Sequence, residues 1–549
     1  MAHPPLPLAD PTSPSQMSAL VAELQKAVGL HQRGQLDQAA ASYRAVLAQA
    51  PEQVDALHML GVLEAQRGNL TAAVDLIRRA IAIDPNNPAA HNNCGNALRD
   101  LKRTGEALAS FDRALALKPD YAPAFNNRGS ALRDLGRLDE ALISFDRALA
   151  LNPDNVEMLN NRGNVLRDLG RHEEALASYD RALALRPNNA EIFNNRGNTL
   201  RDLNRHDEAL ASYDHALSLN PNYAEANYNR GNALGSLERY DEALVNYSRA
   251  LALKPDYAEA FHNRGLTLRA LNQLDEALAS CDRALAHKPD NADFLISRGH
   301  TLADLKRHPE AIASYRQALE RGGNEELLRY YLAALGAEPF PPTPPQSYIE
   351  GLFDQYATRF DDALQSLKYT IPEQLFNAVI AVRPDGKRDI ADLGCGTGMC
   401  GFYFRSIARS LVGVDIAENM IEKSRQRGVY DRLVKANLTD FLRDNPAAFD
   451  LVVAADVFIY VGDVDAVFAA TQTALRPGGQ LAFSVESDEG NGFSLRSSRR
   501  YAHSLGYLRV LAKKYGFIER SVIPVAIREE DGHNIPGFNV IFEREGLNR

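Results

Sequence analysis

A chain of 549 residues is too long for one hydrophobic core, so at least two domains are expected. Apolar residues make up 45% and charged residues 24%, as in soluble globular proteins, and the formal net charge of −10 argues against a nucleic-acid partner, which meets a basic face. The four cysteines (Cys94, Cys281, Cys395, Cys400) are too few and scattered for a disulfide framework and lack Cys-x-x-Cys spacing, and no apolar run approaches the ~20 residues that span a membrane, so neither a metal nor a membrane is expected and the cytoplasm is the expected compartment.

Residues 1–19 are Pro-rich, lack a charged-then-apolar leader pattern, and are expected to be disordered. From there a strict period sets in. Small residues recur every 34 positions, from Gly61, Gly95 and Gly129 to Gly299, and prolines keep step from Pro51 to Pro289. Alanines do the same from Ala39 to Ala311. One unit reads as a first helix, APAFNNRGSALRDLG, and a second, RLDEALISFDRALALNP. Phe125, Leu132, Leu142, Phe145 and Leu149 supply the apolar stripe at helical spacing, and Gly129, Ala141 and Ala148 let the axes approach. Gly136 fits a left-handed helix end, and Pro153 cannot continue the second helix. This pattern resembles the tetratricopeptide repeat, and nine units fit residues 20–325. The first has Ala27 in place of the glycine and the last has Gly323 in place of the proline, the atypical ends that capping requires.

Polar residues also hold register. Asn93, Asn127, Asn161 and Asn195 each follow another asparagine, and Arg99, Arg133, Arg167 and Arg201 lie on the same helices, each followed by aspartate. In the tetratricopeptide family the first helices line the concave surface, so the resemblance implies ladders able to hold an extended protein or peptide segment. The same residues could instead cap, stack and solvate consecutive units. Both readings stay open at this point.

Residues 326–347 read as a closing helix and then EPFPPTPPQ, a Pro-rich linker that acts as a semi-rigid spacer crossed by few contacts. From 348 to 549 the pattern becomes alternating strands and helices. Strands are expected at 390–393, 411–414, 433–436, 451–455 and 480–485, with two later β segments near 517–527 and 539–543. Such alternation implies a mainly parallel sheet covered on both faces, with ligands bound at the carboxyl strand ends.

The first strand runs into Asp392-Leu393-Gly394-Cys395-Gly396-Thr397-Gly398, where glycines let the backbone turn sharply and approach a ligand. Met399 breaks the G-x-G-x-x-G dinucleotide fingerprint. Asp415 closes the next strand, where a carboxylate can accept two ribose hydroxyls, and LRPGG precedes the fifth strand. Together these motifs resemble the class I S-adenosylmethionine-dependent methyltransferases. The whole layout resembles bacterial methyltransferases carrying N-terminal tetratricopeptide repeats. The expected fold is therefore an α-solenoid followed by an α/β Rossmann-like domain.

The resemblance implies that Asp392, Gly394, Gly396 and Gly398 hold the methionine part of S-adenosylmethionine. It implies that Asp415 binds the ribose, Ile416 packs on the adenine, and Asn437 and Leu438 meet the adenine edge. Ala455 would lie beside the sulfonium, and Tyr356 and Phe360 belong to a segment that folds over the cofactor as a lid. Acceptor chemistry is less visible. Methyl transfer is an in-line displacement governed by alignment, and a base is needed only for a protonated acceptor. Asp456, Tyr460 and His503 are the catalytic candidates, the last in SSRRYAHSLGYL between the fifth strand and the last β segments, where Arg499 and Arg500 could meet an anion. Two function classes follow: an active methyltransferase whose repeats recruit a protein, or a non-enzymatic repeat adaptor with a cofactor-binding domain. The repeat-bearing O-linked N-acetylglucosamine transferases need a larger catalytic module than these 200 or so residues supply.

Overall fold

The computed structural model describes residues 14–356, 369–530 and 533–546. The chain divides into two compact units between Asn272 and Gln273. The first is a succession of helical hairpins. Its first helix, Pro14–Gln32, begins inside the stretch expected to be disordered, so the regular structure starts earlier than residue 20. Residues 1–13 lie outside the described residues.

The packing explains the 34-residue period. Gly95, Gly129, Gly163, Gly197 and Gly231 each face an aromatic ring sixteen positions on: Phe111, Phe145, Tyr179, Tyr213 and Tyr247. A Cβ at any of them would come within 2.5–2.8 Å of ring carbons, closer than packed atoms can sit. The glycine and the aromatic are therefore one device, a large side chain laid on a bare backbone. Between the two helices the chain turns through one left-handed residue. This is Gly34 (φ 74°), Gly68 (φ 82°), Gly136 (φ 72°) and Gly170 (φ 74°) in four hairpins, with Lys102, Asn204 and Glu238 among the residues taking the same conformation elsewhere.

The polar ladders are spent between hairpins. Asn127 donates to Asn92 at 3.0 Å, Asn161 to Asn126 at 3.1 Å, Asn195 to Asn160 at 3.0 Å and Asn229 to Asn194 at 2.9 Å. The accepting asparagines are buried. Asn93 meets the His58 ring at 2.9 Å. Arg99 and Arg133 reach Asp134 and Asp168 of the next hairpin, each at 2.6 Å, while Arg167 and Arg201 lie against Asp168 and Asp202 of their own helices.

The second unit holds the last hairpins and the sheet domain. The helices Ala292–Asp304, His308–Glu320 and Glu325–Ala334 do not end the array in solvent. Leu302, Tyr315, Leu328 and Tyr330 share one core with Tyr501, and Tyr348, Phe493 and Leu495 pack against it. The Tyr501 hydroxyl donates to the Pro341 carbonyl (2.8 Å), and the Asp463 N–H donates to Pro342 (2.8 Å). The segment expected to be a contact-poor spacer is therefore pinned to the sheet domain, and the break in compactness falls earlier, within the repeats.

The sheet strands are β1 (Arg388–Leu393), β2 (Ala408–Asp415), β3 (Arg432–Lys435), β4 (Phe449–Ala454) and β5 (Leu475–Ser487). They are followed by β6 (Phe493–Leu495), β7 (Tyr501–His503), β8 (Phe517–Glu530) and β9 (His533–Arg544). The order β3-β2-β1-β4-β5 is parallel, and β9 adds antiparallel to β5 with β8 beyond it. The β6–β7 hairpin attaches to the far end of β5 through Glu486 and Ser487. Alternate residues serve two cores. Ile390, Leu411, Leu451 and Ala482 face Leu375 and Val379, while Ala391, Val412, Val452 and Leu481 lie on the side of Phe468 and Leu508. Strand order reverses beside β1, which brings the ends of β1, β2 and β4 around one crevice. Among the described residues no helix is long and apolar enough to cross a membrane, and no cluster could hold a metal ion.

Candidate functional site

At the carboxyl ends of β1, β2 and β4 lies a cavity of about 700 Å³. Its floor is the loop after β1. Gly394 (φ 59°) and Gly396 (φ 53°) are left-handed, and a Cβ on Gly394 would sit 2.7 Å from the Val457 side chain. Asp415, the last residue of β2, ties this loop down. One carboxylate oxygen accepts the Gly396 N–H at 2.9 Å and the other accepts the Ala417 N–H at 3.0 Å. Burial raises the Asp415 carboxyl above its ordinary range, against the pull of these backbone donors.

The structure brings most of the sequence-predicted residues to this cavity. Gly394, Gly396, Asp415, Ile416, Asn437, Leu438, Ala455, Asp456 and Tyr460 all line it. Asn437 also caps the helix Leu438–Arg443, its side-chain oxygen accepting the Thr439 N–H at 2.9 Å.

Three expected residues are placed elsewhere. Asp392 is buried behind the loop, where it accepts the Tyr430 hydroxyl at 2.5 Å; it buttresses the loop and does not line the cavity. Burial pushes its carboxyl up to about 7. Gly398 (φ 92°) turns the chain into the helix Met399–Phe404 and is likewise not on the cavity wall. His503 is fully buried on β7, and its Nε2 lies 2.8 Å from the Gly462 carbonyl. Desolvation depresses it to about 4, and it does not line the cavity. Phe360 lies outside the described residues, and Tyr356 ends the helix Gln346–Tyr356.

The aromatic wall comes from an earlier part of that helix. Tyr348 and Phe353 line the cavity, and the Phe353 ring meets Tyr460 edge-on at 5.1 Å. Asp354 receives the Asn419 N–H at 3.1 Å, docking this helix onto the helix Glu418–Arg427.

Sequence reasoning also missed a buried charge cluster on the opposite wall. Arg528 of β8 bonds to Glu486 of β5 and lies 3.8 Å from Asp456. Asp456 is held at φ 59°, its N–H bound to the Ser484 hydroxyl at 2.7 Å. One of its carboxylate oxygens is buried without a hydrogen-bond partner among the described residues. Burial raises Asp456 to about 6, with Arg528 and Arg500 pulling the other way. Nothing in the string VAIREE distinguished Arg528 from a solvated strand end.

A methyltransferase-domain model matches residues 391–481, spanning the glycine loop, Asp415 and Asp456. Tetratricopeptide-repeat models match 24–88, 126–190 and 262–326, with related repeat models filling 95–132 and 178–268. The chain is a tetratricopeptide-repeat protein with a methyltransferase domain.

Among curated relatives, the biotin biosynthesis bifunctional protein BioHC of Saccharophagus degradans is 28% identical over 136 residues, 24% of each chain. The ubiquinone biosynthesis O-methyltransferase of Idiomarina loihiensis is 30% identical over 107 residues, 18% of this chain and 42% of that one. The methyltransferase domain thus spans less than half the length of either relative. The repeats are similar to the solved structure of YrrB, a TPR protein with an unusual peptide-binding site, at 28% identity over 34% of this chain and 97% of that one, with a TM-score of 0.29.

Proposed function

We propose that the methyltransferase domain transfers a methyl group from S-adenosylmethionine to an acceptor, and that the repeats recruit a protein partner. The observation that carries the first part is the closure of the glycine loop by Asp415 at the edge of a cavity of about 700 Å³, a size that holds a nucleoside-sized ligand. The residues fit that ligand. Asp415 keeps lone pairs for the ribose hydroxyls after taking two backbone N–H groups, since a carboxylate offers about four acceptor sites. Ile416 and Leu438 flank an adenine, with Asn437 at its edge. The bare backbone of Gly394 and Gly396 admits the methionine part.

S-adenosylmethionine, when bound, supplies a methyl group on a sulfonium. The chain's own residues then position and shield. Tyr348, Phe353 and Tyr460 present ring faces and edges that exclude water and favour a nearby cation. Asp456, raised to about 6 and carrying an oxygen without a hydrogen-bond partner among the described residues, is the group best suited to take a proton from an acceptor or to hold its hydroxyl in line. The asparagine ladder holds hairpins in register, so partner binding would use other first-helix side chains.

Calorimetric titration of the full chain with S-adenosylmethionine tests the first part. A dissociation constant near the micromolar range, about 8 kcal/mol, is expected. No heat of binding at millimolar concentration would overturn it.

A further inference from the structure

A second cavity, of about 650 Å³, lies between the last repeat hairpin and the methyltransferase domain. Its repeat side is built by the helices Ala292–Asp304 and His308–Glu320 and the turn between them, which present His300, Asp304 and Lys306. Its other side is the turn joining β6 to β7, Arg496–Arg500. That turn is anchored at several points. Arg496 and Arg500 close on each other through backbone hydrogen bonding at 2.8 Å, and Arg499 sits at φ 64° with its carbonyl accepting the Tyr330 hydroxyl at 2.7 Å. The Arg499 guanidinium lies over the Tyr331 ring, 5.7 Å from its centre. A strained, multiply anchored turn carrying three arginines is costly to maintain for solubility alone.

Two features give this cavity a chemistry and a direction. Lys306, Arg496, Arg499 and Arg500 line it together with Asp304 and Glu486; Glu486 is bonded to Arg528, and Arg496 lies 3.8 Å from Asp488 and donates to the Ser487 carbonyl at 3.1 Å. Ser498, Arg499 and Arg500 line this cavity and the donor cavity alike, and Arg500 acts on both Asp456 and Tyr460.

We propose that this junction cavity binds the anionic end of the methyl acceptor, a small molecule carrying carboxylate or phosphate groups. The acceptor's anion rests among Lys306, Arg496 and Arg499, and its nucleophilic end passes Arg500 toward Asp456. The last repeat hairpin is then a wall of the acceptor site. The proposal rests on the reading of the donor cavity given above, and the test separates the two.

The full chain is titrated calorimetrically with inorganic pyrophosphate and, separately, with citrate, standing for the two anion types. S-adenosylmethionine is titrated in parallel. At least one anion should bind the wild-type chain. Lys306→Glu keeps the same demand on the backbone and should weaken that anion at least tenfold, while S-adenosylmethionine affinity stays within twofold. Lys513→Glu, the same charge change on an exposed helix face away from the cavity, should leave both unchanged. In a second arm, the wild-type chain with methyl-labelled S-adenosylmethionine and a small-molecule cell extract should place label in the fraction retained by an anion exchanger, and Lys306→Glu should remove most of it. Binding of neither anion, equal anion binding by Lys306→Glu, or label confined to the unretained fraction would overturn the proposal. Failure of S-adenosylmethionine binding would instead strike the donor-site reading.

Discussion

Asp415→Asn is the sharpest probe of the donor site, because Asp415 does two jobs that one substitution separates. In the wild-type chain each carboxylate oxygen accepts one loop N–H, from Gly396 at 2.9 Å and Ala417 at 3.0 Å. Asparagine keeps the shape but replaces one oxygen with a donor. One loop N–H then faces an N–H₂ group, and one ribose hydroxyl loses its acceptor. A hydrogen bond to a charged group contributes about 1.5–3 kcal/mol, so losing the ribose bond alone should cost about 2 kcal/mol, roughly thirtyfold in dissociation constant. The disturbed loop adds to that loss. The assay is calorimetry with S-adenosylmethionine and with an analogue lacking the ribose 2′- and 3′-hydroxyls, on wild type and variant. If the carboxylate reads the ribose, the analogue binds wild type at least thirtyfold more weakly than S-adenosylmethionine does, yet loses much less on going to Asp415→Asn. Equal losses in both proteins, or variant affinity within twofold of wild type, would refute the reasoning.

Other consequences can be measured on the same material. Gly197→Ala forces a methyl 2.6 Å from a Tyr213 ring carbon and should cost about 1–3 kcal/mol in urea unfolding, whereas Gly136→Ala, with open space but φ 72°, should cost about 1 kcal/mol from backbone strain alone. Asn127, Asn161 and Asn195 changed together to alanine should lower stability by about 3 kcal/mol or more, since each leaves a buried asparagine without its donor; unchanged urea midpoints would return these residues to the role of ligand contacts. Asp456 is raised to about 6, so methyl transfer should climb with pH through that value and Asp456→Asn should flatten the profile. By linkage the fold prefers neutral Asp456, so this group's contribution is fully present below about pH 4 and is lost as pH rises through about 6; Asp456→Asn should show a smaller fall in stability over that window than wild type. A fragment beginning at Tyr348 should unfold at lower urea and with a broader transition than one beginning at Gln273.

The repeats were legible because their packing is local. The glycine and the ring it faces stand sixteen residues apart in six of the hairpins, so one spacing in the sequence carries one contact in the fold. The central strands were legible for a related reason: residues such as Ile390 and Ala391 alternate between two buried faces, and the glycine loop follows at once. What escaped depends on pairs distant in sequence. Arg528 and Glu486 meet only because β8 and β9 fold back on β5. His503 read as a polar residue in an insertion, and β7 is only three residues long, too short for its alternation to register. The asparagine ladders were visible, but their hydrogen bonds span about one repeat period, and the sequence alone left a bound peptide open beside the structural role.

The docking of the repeat array onto the sheet domain has a physical cause. A stack of helical hairpins buries each apolar face against the next, so its last hairpin needs a cover or a polar exterior. Here Tyr330 and Tyr331 of the closing helix share one core with Tyr501, and Phe493 and Leu495 of the β6–β7 hairpin pack against it. A proline run cannot be helical, but its carbonyls still accept hydrogen bonds, and Pro341 and Pro342 give theirs to Tyr501 and Asp463. The segment that looks like a spacer is therefore the seam along which the array is capped. The residues that do the capping, Tyr501 and its neighbours through Arg499, are contiguous with those that wall the donor cavity, and Thr343 and Pro344 from the seam line that cavity themselves. Loosening the cap should thus be felt first as a change in the donor site, before the hairpins or the sheet lose their own cores.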